Sequence, residues 1–249
     1  MNVCIFRIPE GNFWKSHRSK CRHCGAPISS LLNIPVLSYL MLRGRTSCCQ
    51  SKLSIQYPIV EILTGLFVVL AYWKFPFVSF GGGQWEIHYA DFLRFAHAFV
   101  FISILVVCSF IDLRLMIIPD VISIPMVLIS PFVVWFHPDL TLFDSTIGIL
   151  AGGLSLYSIA WLYWLLRREV GMGMGDVKLL AGIGGWLGYQ SIIPTILYGS
   201  VLGTFTGLCV MIFTRRLSMQ SAIPFGPFLG IGAIIHLLFG SIIQQLYAY

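Results

Sequence analysis

Long stretches without a charged side chain set the limits on what this 249-residue chain can become. Inside hydrocarbon every backbone N–H and C=O must be satisfied within its own segment, so a crossing needs a helix of about 20 mostly apolar residues. Seven runs qualify as candidates. The first lies between Lys52 and Lys74, interrupted only by Glu61; the second fills Phe95 to Ile111; the third runs from Val121 to Phe136; the fourth from Ser145 to Leu166. The run from Leu179 to Arg215 is too long for one crossing, and Gly188-Tyr189-Gln190-Ser191 with Pro194 close behind predicts a turn that splits it in two. The last span occupies much of Ile223 to Tyr247. Composition agrees: 57% of the residues are hydrophobic and 10% charged, against roughly 25% charged in soluble domains. The predicted fold is all-α, a polytopic membrane helix bundle of about seven spans.

Lys and Arg collect in short cytoplasmic loops, so their positions predict orientation. With the N-terminal segment inside, seven crossings place Arg7, Lys15, Arg18, Lys20, Arg22, Arg43, Arg45, Lys52, Arg114, Arg167, Arg168, Arg215 and Arg216 on the cytoplasmic face, and only Lys74 and Arg94 outside. The C-terminus then lies on the far side. The net charge of +6 is accounted for by this topology and is not a nucleic-acid footprint.

An ionisable group at a span costs several kcal/mol unless it faces a cavity or a partner, which makes an acid there a functional-site hypothesis. Asp112 ends the second run, and Asp176 follows Gly173-Met174-Gly175 at the mouth of the fifth. Two crossings separate them, so both stand on the cytoplasmic face and can meet. Gly171, Gly173 and Gly175 permit close backbone approach at Asp176. Taken singly, each acid is equally readable as a solvated helix end. Taken as a pair in a low-dielectric site, two carboxylates share one proton, so that one form activates water while the other protonates a carbonyl. That is peptide hydrolysis without a covalent intermediate. Cys108 and Cys209 lie within apolar runs with no His or Asn nearby in sequence and read as inert thiols.

These residues carry a resemblance that covers nearly the whole chain. Asn33-Ile34-Pro35-Val36-Leu37-Ser38-Tyr39 with Leu42-Arg43-Gly44-Arg45, Tyr57-Pro58-Ile59-Val60-Glu61, Ile111-Asp112-Leu113-Arg114 with Ile118-Pro119-Asp120, Gly173-Met174-Gly175-Asp176-Val177-Lys178, and Phe225-Gly226-Pro227-Phe228-Leu229 stand in the order found in bacterial type IV prepilin peptidases. The chain resembles that family of integral-membrane aspartic proteases with a GxGD motif. The resemblance implies catalysis by Asp112 and Asp176, with Gly173, Gly175 and Lys178 as active-site support. It implies prepilins or pseudopilins as substrates, cut after a glycine where a basic cytoplasmic leader meets an apolar helix, and location in a bacterial inner membrane. It also implies methylation of the new N-terminus with S-adenosylmethionine, for which no nucleotide-binding fingerprint and no binding residue is readable. Asp120 opens a span and reads as a helix-start acid meeting the dipole. Lys178 either holds a substrate carboxylate, tunes Asp176 or reaches back to water. Glu61, one turn inside its span, either bonds neighbouring helices or lines the cavity.

The N-terminal segment has a second signal. Cys21-Arg22-His23-Cys24 and Cys48-Cys49 sit in a basic loop placed in the reducing cytosol, where paired cysteines favour structural zinc over disulfides. The family generally has two Cys-x-x-Cys pairs here. In register with Tyr57-Pro58 this chain has Thr46 and Cys49, with Cys48 added. Adjacent thiolates reach one metal only through a strained turn, so the site is readable as Cys21, Cys24, Cys48 and Cys49, as three cysteines completed by His23, or as free thiols. Residues 1–56 are thus a cytoplasmic Cys-rich, zinc-knuckle-like segment and 57–249 a transmembrane peptidase domain.

Asn2 to Pro9 resembles the end of the family's first span, with Met1 in its middle, which leaves open a start further upstream or a lost helix. The Gly81-Gly82-Gly83 stretch with Trp85, Glu86, His88 and Asp91 reads as a flexible far-side loop. His97 and His236 read as packing groups, and the small residues Gly148, Ala151, Gly152, Gly153 and Gly182, Gly184, Gly185 as close helix contacts. Two other functions compete: a proton-coupled transporter using the same acids, and an inactive, truncated relative.

Overall fold

The computed structural model describes residues 1–11, 21, 23–29, 36–81, 83–137, 139–214 and 223–247. Lys15, Arg18, Lys20, Arg22, Asn33, Ile34, Pro35, Gly82, Arg215 and Arg216, on which parts of the topology and motif readings rest, lie outside the described residues. The chain divides into two compact units, Met1–Val69 and Leu70–Tyr249.

In the first unit, α1 (Asn2–Arg7) and α2 (Leu37–Met41) are short; α3 (Gln56–Lys74), the first long helix, starts there and ends past Val69. The ring of Phe6 stacks on Tyr57 at 5.3 Å, and Asn2 donates its amide to the Tyr57 carbonyl at 3.1 Å and to Glu61 Oε1 at 3.3 Å. The other carboxylate oxygen of Glu61 accepts the backbone N–H of Val36 at 2.7 Å. Glu61 therefore bonds neighbouring segments. Its acceptance of that N–H also holds Val36 at φ +57, a conformation unusual for a β-branched residue.

In the second unit, β1 (Val78–Gly81) and β2 (Gln84–Ile87) form an antiparallel hairpin before α4 (Tyr89–Leu115). The flexible loop expected here is replaced by a ribbon, because Val78-Ser79-Phe80 and Trp85-Glu86-Ile87 alternate apolar and polar residues in pairing register. After it come α5 (Asp120–Val133), α6 (Leu142–Arg167), α7 (Met174–Leu187), α8 (Ile192–Thr214) and α9 (Gly226–Tyr247). Left-handed residues Met116 and Arg168 close α4 and α6. The expected break falls where the breaker residues stand: Gly188 at φ +82 ends α7, and a single 3-10 turn, Tyr189–Ser191, leads into α8.

The seven predicted runs correspond to α3 through α9. Among the described residues, four apolar helical segments are long enough to cross a membrane by length and composition: Gln56–Lys74, Tyr89–Leu115, Leu142–Arg167 and Tyr189–Phe213. The 14-residue helices α5 and α7 reach only about 21 Å at ~1.5 Å per residue. In α5, Val134–Phe136 leave the α-helix for a 3-10 turn. Helix α7 starts at Met174, so Asp176, at the mouth of its run, lies in the first turn.

Backbone contact explains how α7 is enclosed. A methyl group added at Gly148 of α6 would collide with the carbonyl of Gly184, and one added at Gly184 with the carbonyl of Gly148. Gly152 faces the Leu180 carbonyl in the same way. On its other side α7 presents Gly182 to Met126 and Gly185 to Ser130, both of α5, and Trp186 donates its indole N–H to the Met126 carbonyl at 2.9 Å. Val177 and the whole stretch from Leu179 to Trp186 are buried. Helix α9 packs on α4 and on α8, where Gly232 lies against the Thr195 backbone and Gly230 against Ser109.

Candidate active site

Asp112 sits on the last turns of α4 and is only 4% exposed. Its Oδ2 accepts the backbone N–H of Gly226 at 3.0 Å, across 114 positions in sequence. Gly226 is the first residue of α9, so the carboxylate meets an unsatisfied donor and the positive end of a helix dipole together. The contact requires glycine: a Cβ at 226 would stand 2.7 Å from Asp112 Oδ2 and 3.1 Å from Ile118 Cδ1.

Asp176 arrives from the other direction. Gly173 caps α7, and the Asp176 N–H donates to its carbonyl at 3.2 Å. Asp176 is half-buried, and its neighbour Gly175 brings the first turn of α7 up to Ile118. Ile118 fills the space between these two helix starts, 3.0 Å from where a Cβ on Gly175 would lie and 3.1 Å from where one on Gly226 would lie. Gly175 and Gly226 thus clear the backbone on two sides of one apolar side chain. Cys108 is buried one turn before Asp112.

Lys178 donates to Asp120 Oδ1 at 2.6 Å, linking the first turns of α7 and α5 with both partners partly in solvent. Asp120 is the first residue of α5, as its position after Pro119 predicts. The Lys178–Asp120 pairing was not readable from sequence, because either residue alone has an ordinary interfacial role. The part of Gly226 was hidden for a similar reason: a Gly-Pro at a helix start carries no mark of the acid it serves.

His97 is buried, with its ring stacked on Trp186 at 5.3 Å and set edge-on to His137 at 4.9 Å, in keeping with a packing role. Cys108 is buried as expected, and Cys209 is half-buried.

In the first unit, the sulfurs of Cys21, Cys24, Cys48 and Cys49 all lie within 4.8 Å of one another. Two turns present them. In one, Cys21 and Ala26 are bonded and Gly25 takes φ +72; in the other, Thr46 and Ser51 are bonded and Gln50 takes φ +56. The second is the strained turn that an adjacent pair requires. Thr46 is not a ligand but a hydrogen-bonding neighbour, 3.2 Å from Cys49 Sγ, with Ser51 Oγ at 3.3 Å. These hydroxyls pull the Cys49 thiol down to about 6. His23 is not part of the cluster. Four thiolates at such spacing fit tetrahedral zinc.

Residues 1–75 match the bacterial peptidase A24 N-terminal domain, and residues 99–208, which contain both Asp112 and Asp176, match the type IV leader peptidase family. The chain is 39% identical to a prepilin leader peptidase/N-methyltransferase of Aeromonas hydrophila over 231 residues, covering 92% of this chain and 74% of that protein. Identity to proteins of the same description is 36% in Pseudomonas putida, over 92% of this chain and 74% of that protein. In Pseudomonas aeruginosa it is 34%, with the same coverage of each chain. No solved structure matches.

Proposed function

The chain belongs to the type IV leader peptidase family, and from that membership we propose that Asp112 and Asp176 together remove the leader from prepilins or pseudopilins. The observation that carries this reading is that the turn of α7 bearing Asp176 and the start of α9 that holds Asp112 flank the same side chain, Ile118, with a backbone N–H aimed at Asp112.

The hydrogen bond from Gly226 stabilises the anionic form of Asp112, so the proton shared by the pair resides on Asp176. A water between the carboxyls gives a proton to Asp112 as its oxygen attacks the scissile carbonyl. Asp176 protonates the carbonyl oxygen, forming a neutral tetrahedral diol. Asp112 then returns its proton to the leaving nitrogen, the C–N bond breaks, and the remaining hydroxyl proton returns to Asp176. Gly175 supports the site by letting the first turn of α7 lie against Ile118, and Gly173 by capping that turn. Lys178 supports it by tying that turn to Asp120.

The substrate's basic leader would remain in the cytosol, on the face that holds the two acids, with its apolar helix in the inner membrane and this chain's C-terminus on the far side. Residues 1–56 act as a cytoplasmic segment ahead of the peptidase domain, 57–249. Zinc held by Cys21, Cys24, Cys48 and Cys49 would cross-link that segment. With four protein ligands it has no open position for substrate and no part in the hydrolysis. Methyl transfer from S-adenosylmethionine to the freed amine follows from the description of the relatives, and no step of the cleavage depends on it.

One assay tests the reading against a transporter that uses the same acids. Purified protein in nanodiscs is incubated with a prepilin, and leader release is followed by mass, with and without S-adenosylmethionine. Release of the leader, and one added methyl group only when the methyl donor is present, is expected. Proton-driven flux in liposomes with no cleavage would overturn the proposal.

A further inference from the structure

The hairpin between α3 and α4 has two unlike faces. Register pairs Val78 with Ile87 and Phe80 with Trp85 on one, and Ser79 with Glu86 and Gly81 with Gln84 on the other. The rings of Phe80 and Trp85 lie 4.9 Å apart, yet Phe80 is 63%, Trp85 74% and Ile87 59% exposed. A lone two-stranded hairpin is marginal in water, and an aromatic face left uncovered calls for an apolar surface.

The base of the ribbon is packed and hydrogen-bonded. Phe77 packs against Tyr72 at 5.3 Å, Phe92 at 5.4 Å and Phe95 at 5.1 Å. His88 donates its backbone N–H to the Phe77 carbonyl at 2.9 Å, and its ring bonds Ser79 at 2.9 Å. Only Phe75 to Phe77 separate the ribbon from α3, and only His88 separates it from α4, both helices long and apolar enough to cross a membrane. The ribbon is thereby confined to the level where those two helices leave the hydrocarbon. Trp73 and Tyr89, at the adjoining helix ends, are also exposed, and aromatic side chains with one polar edge favour that boundary.

We propose that the hairpin of residues 78–87 is a lipid-interface anchor, its Phe80–Trp85 face seated among the headgroups and upper acyl chains of the leaflet opposite the two acids. Asp112 stands about 35 Å along α4 from Tyr89, at ~1.5 Å per residue, slightly more than the ~30 Å hydrocarbon thickness. Pinning one end of α4 in one leaflet thus fixes the depth at which its other end holds the carboxylate.

The test uses the full chain carrying 5-fluorotryptophan in phosphatidylcholine–phosphatidylglycerol nanodiscs, with the Trp85 fluorine resonance assigned by its absence from Trp85→Phe. Lipid bearing a nitroxide at acyl carbon 5 is expected to remove most of that resonance, while a water-soluble gadolinium chelate leaves most of it. Stronger loss with gadolinium than with the lipid nitroxide would place the ribbon in water and overturn the proposal. Insensitivity to both reagents would mean that protein, such as a second copy, covers the face, and would overturn it equally.

Discussion

Replacing Gly226 with alanine isolates the one hydrogen bond that distinguishes Asp112 from Asp176. The added methyl would begin 2.7 Å from Asp112 Oδ2, closer than such atoms pack, so the carboxylate and the start of α9 must separate and the 3.0 Å bond from Gly226 must lengthen. A hydrogen bond to a charged group contributes about 1.5–3 kcal/mol. At about 1.36 kcal/mol per factor of ten, its loss from the form that activates water lowers kcat by roughly 10- to 150-fold. Alanine is the better helix former by up to ~1 kcal/mol, so a loss of activity is not explained by helix propensity at 226. Gly65→Ala serves as control, since nothing lies within 4 Å of its added methyl. The assay is leader release from a prepilin by each variant in nanodiscs, over a substrate series that separates kcat from KM. A Gly226→Ala variant with kcat within about twofold of the parent would refute the reasoning, because the contact would then contribute less than ~0.5 kcal/mol to the reaction.

Gly148→Ala or Gly184→Ala forces a methyl into the facing backbone of α6 or α7 and is expected to destabilise the bundle by ~1–3 kcal/mol, read as a lower detergent-unfolding midpoint. Unchanged midpoints for both would contradict the packing described. Lys178→Ala removes a partly solvated ion pair with Asp120, which should cost less than ~1 kcal/mol and therefore about fivefold or less in kcat. The exchange Asp120→Lys with Lys178→Asp should recover most of that loss, and equal losses in the single and exchanged variants would exclude the pair as support. Purified protein should carry one zinc per chain by elemental analysis, and Cys24→Ser or Cys48→Ser should lose the metal and expose the loop to protease. Full zinc retention in both would exclude the four-thiolate site.

Much of the helical framework was legible because hydrocarbon tolerates few polar groups: the charge-free runs, the break at Gly188 and the small residues that mark close helix contacts each follow from a local pattern, whereas the partnering of α6 with α7 does not. What escaped depends on contacts between distant residues. Gly226 reaches Asp112, Lys178 reaches Asp120, and Glu61 reaches Val36 and Asn2, none with a signature in its own neighbourhood. The ribbon was obscured by three consecutive glycines and by strands of four residues, too short for an alternation to stand out. The cysteine cluster shows a partial reading of another kind. The need for a strained turn at Cys48-Cys49 was visible, but its accommodation by Gln50 and the hydroxyls of Thr46 and Ser51 was not.

The most direct test of the shared-proton mechanism is leader release by Asp112→Asn, Asp176→Asn and the double variant, each reconstituted and checked for insertion. On the proposed mechanism the two carboxyls act on one water, so both single variants and the double variant are expected to fall to the same floor. Cleavage at the parent rate by either single variant, or losses that simply multiply in the double, would contradict it.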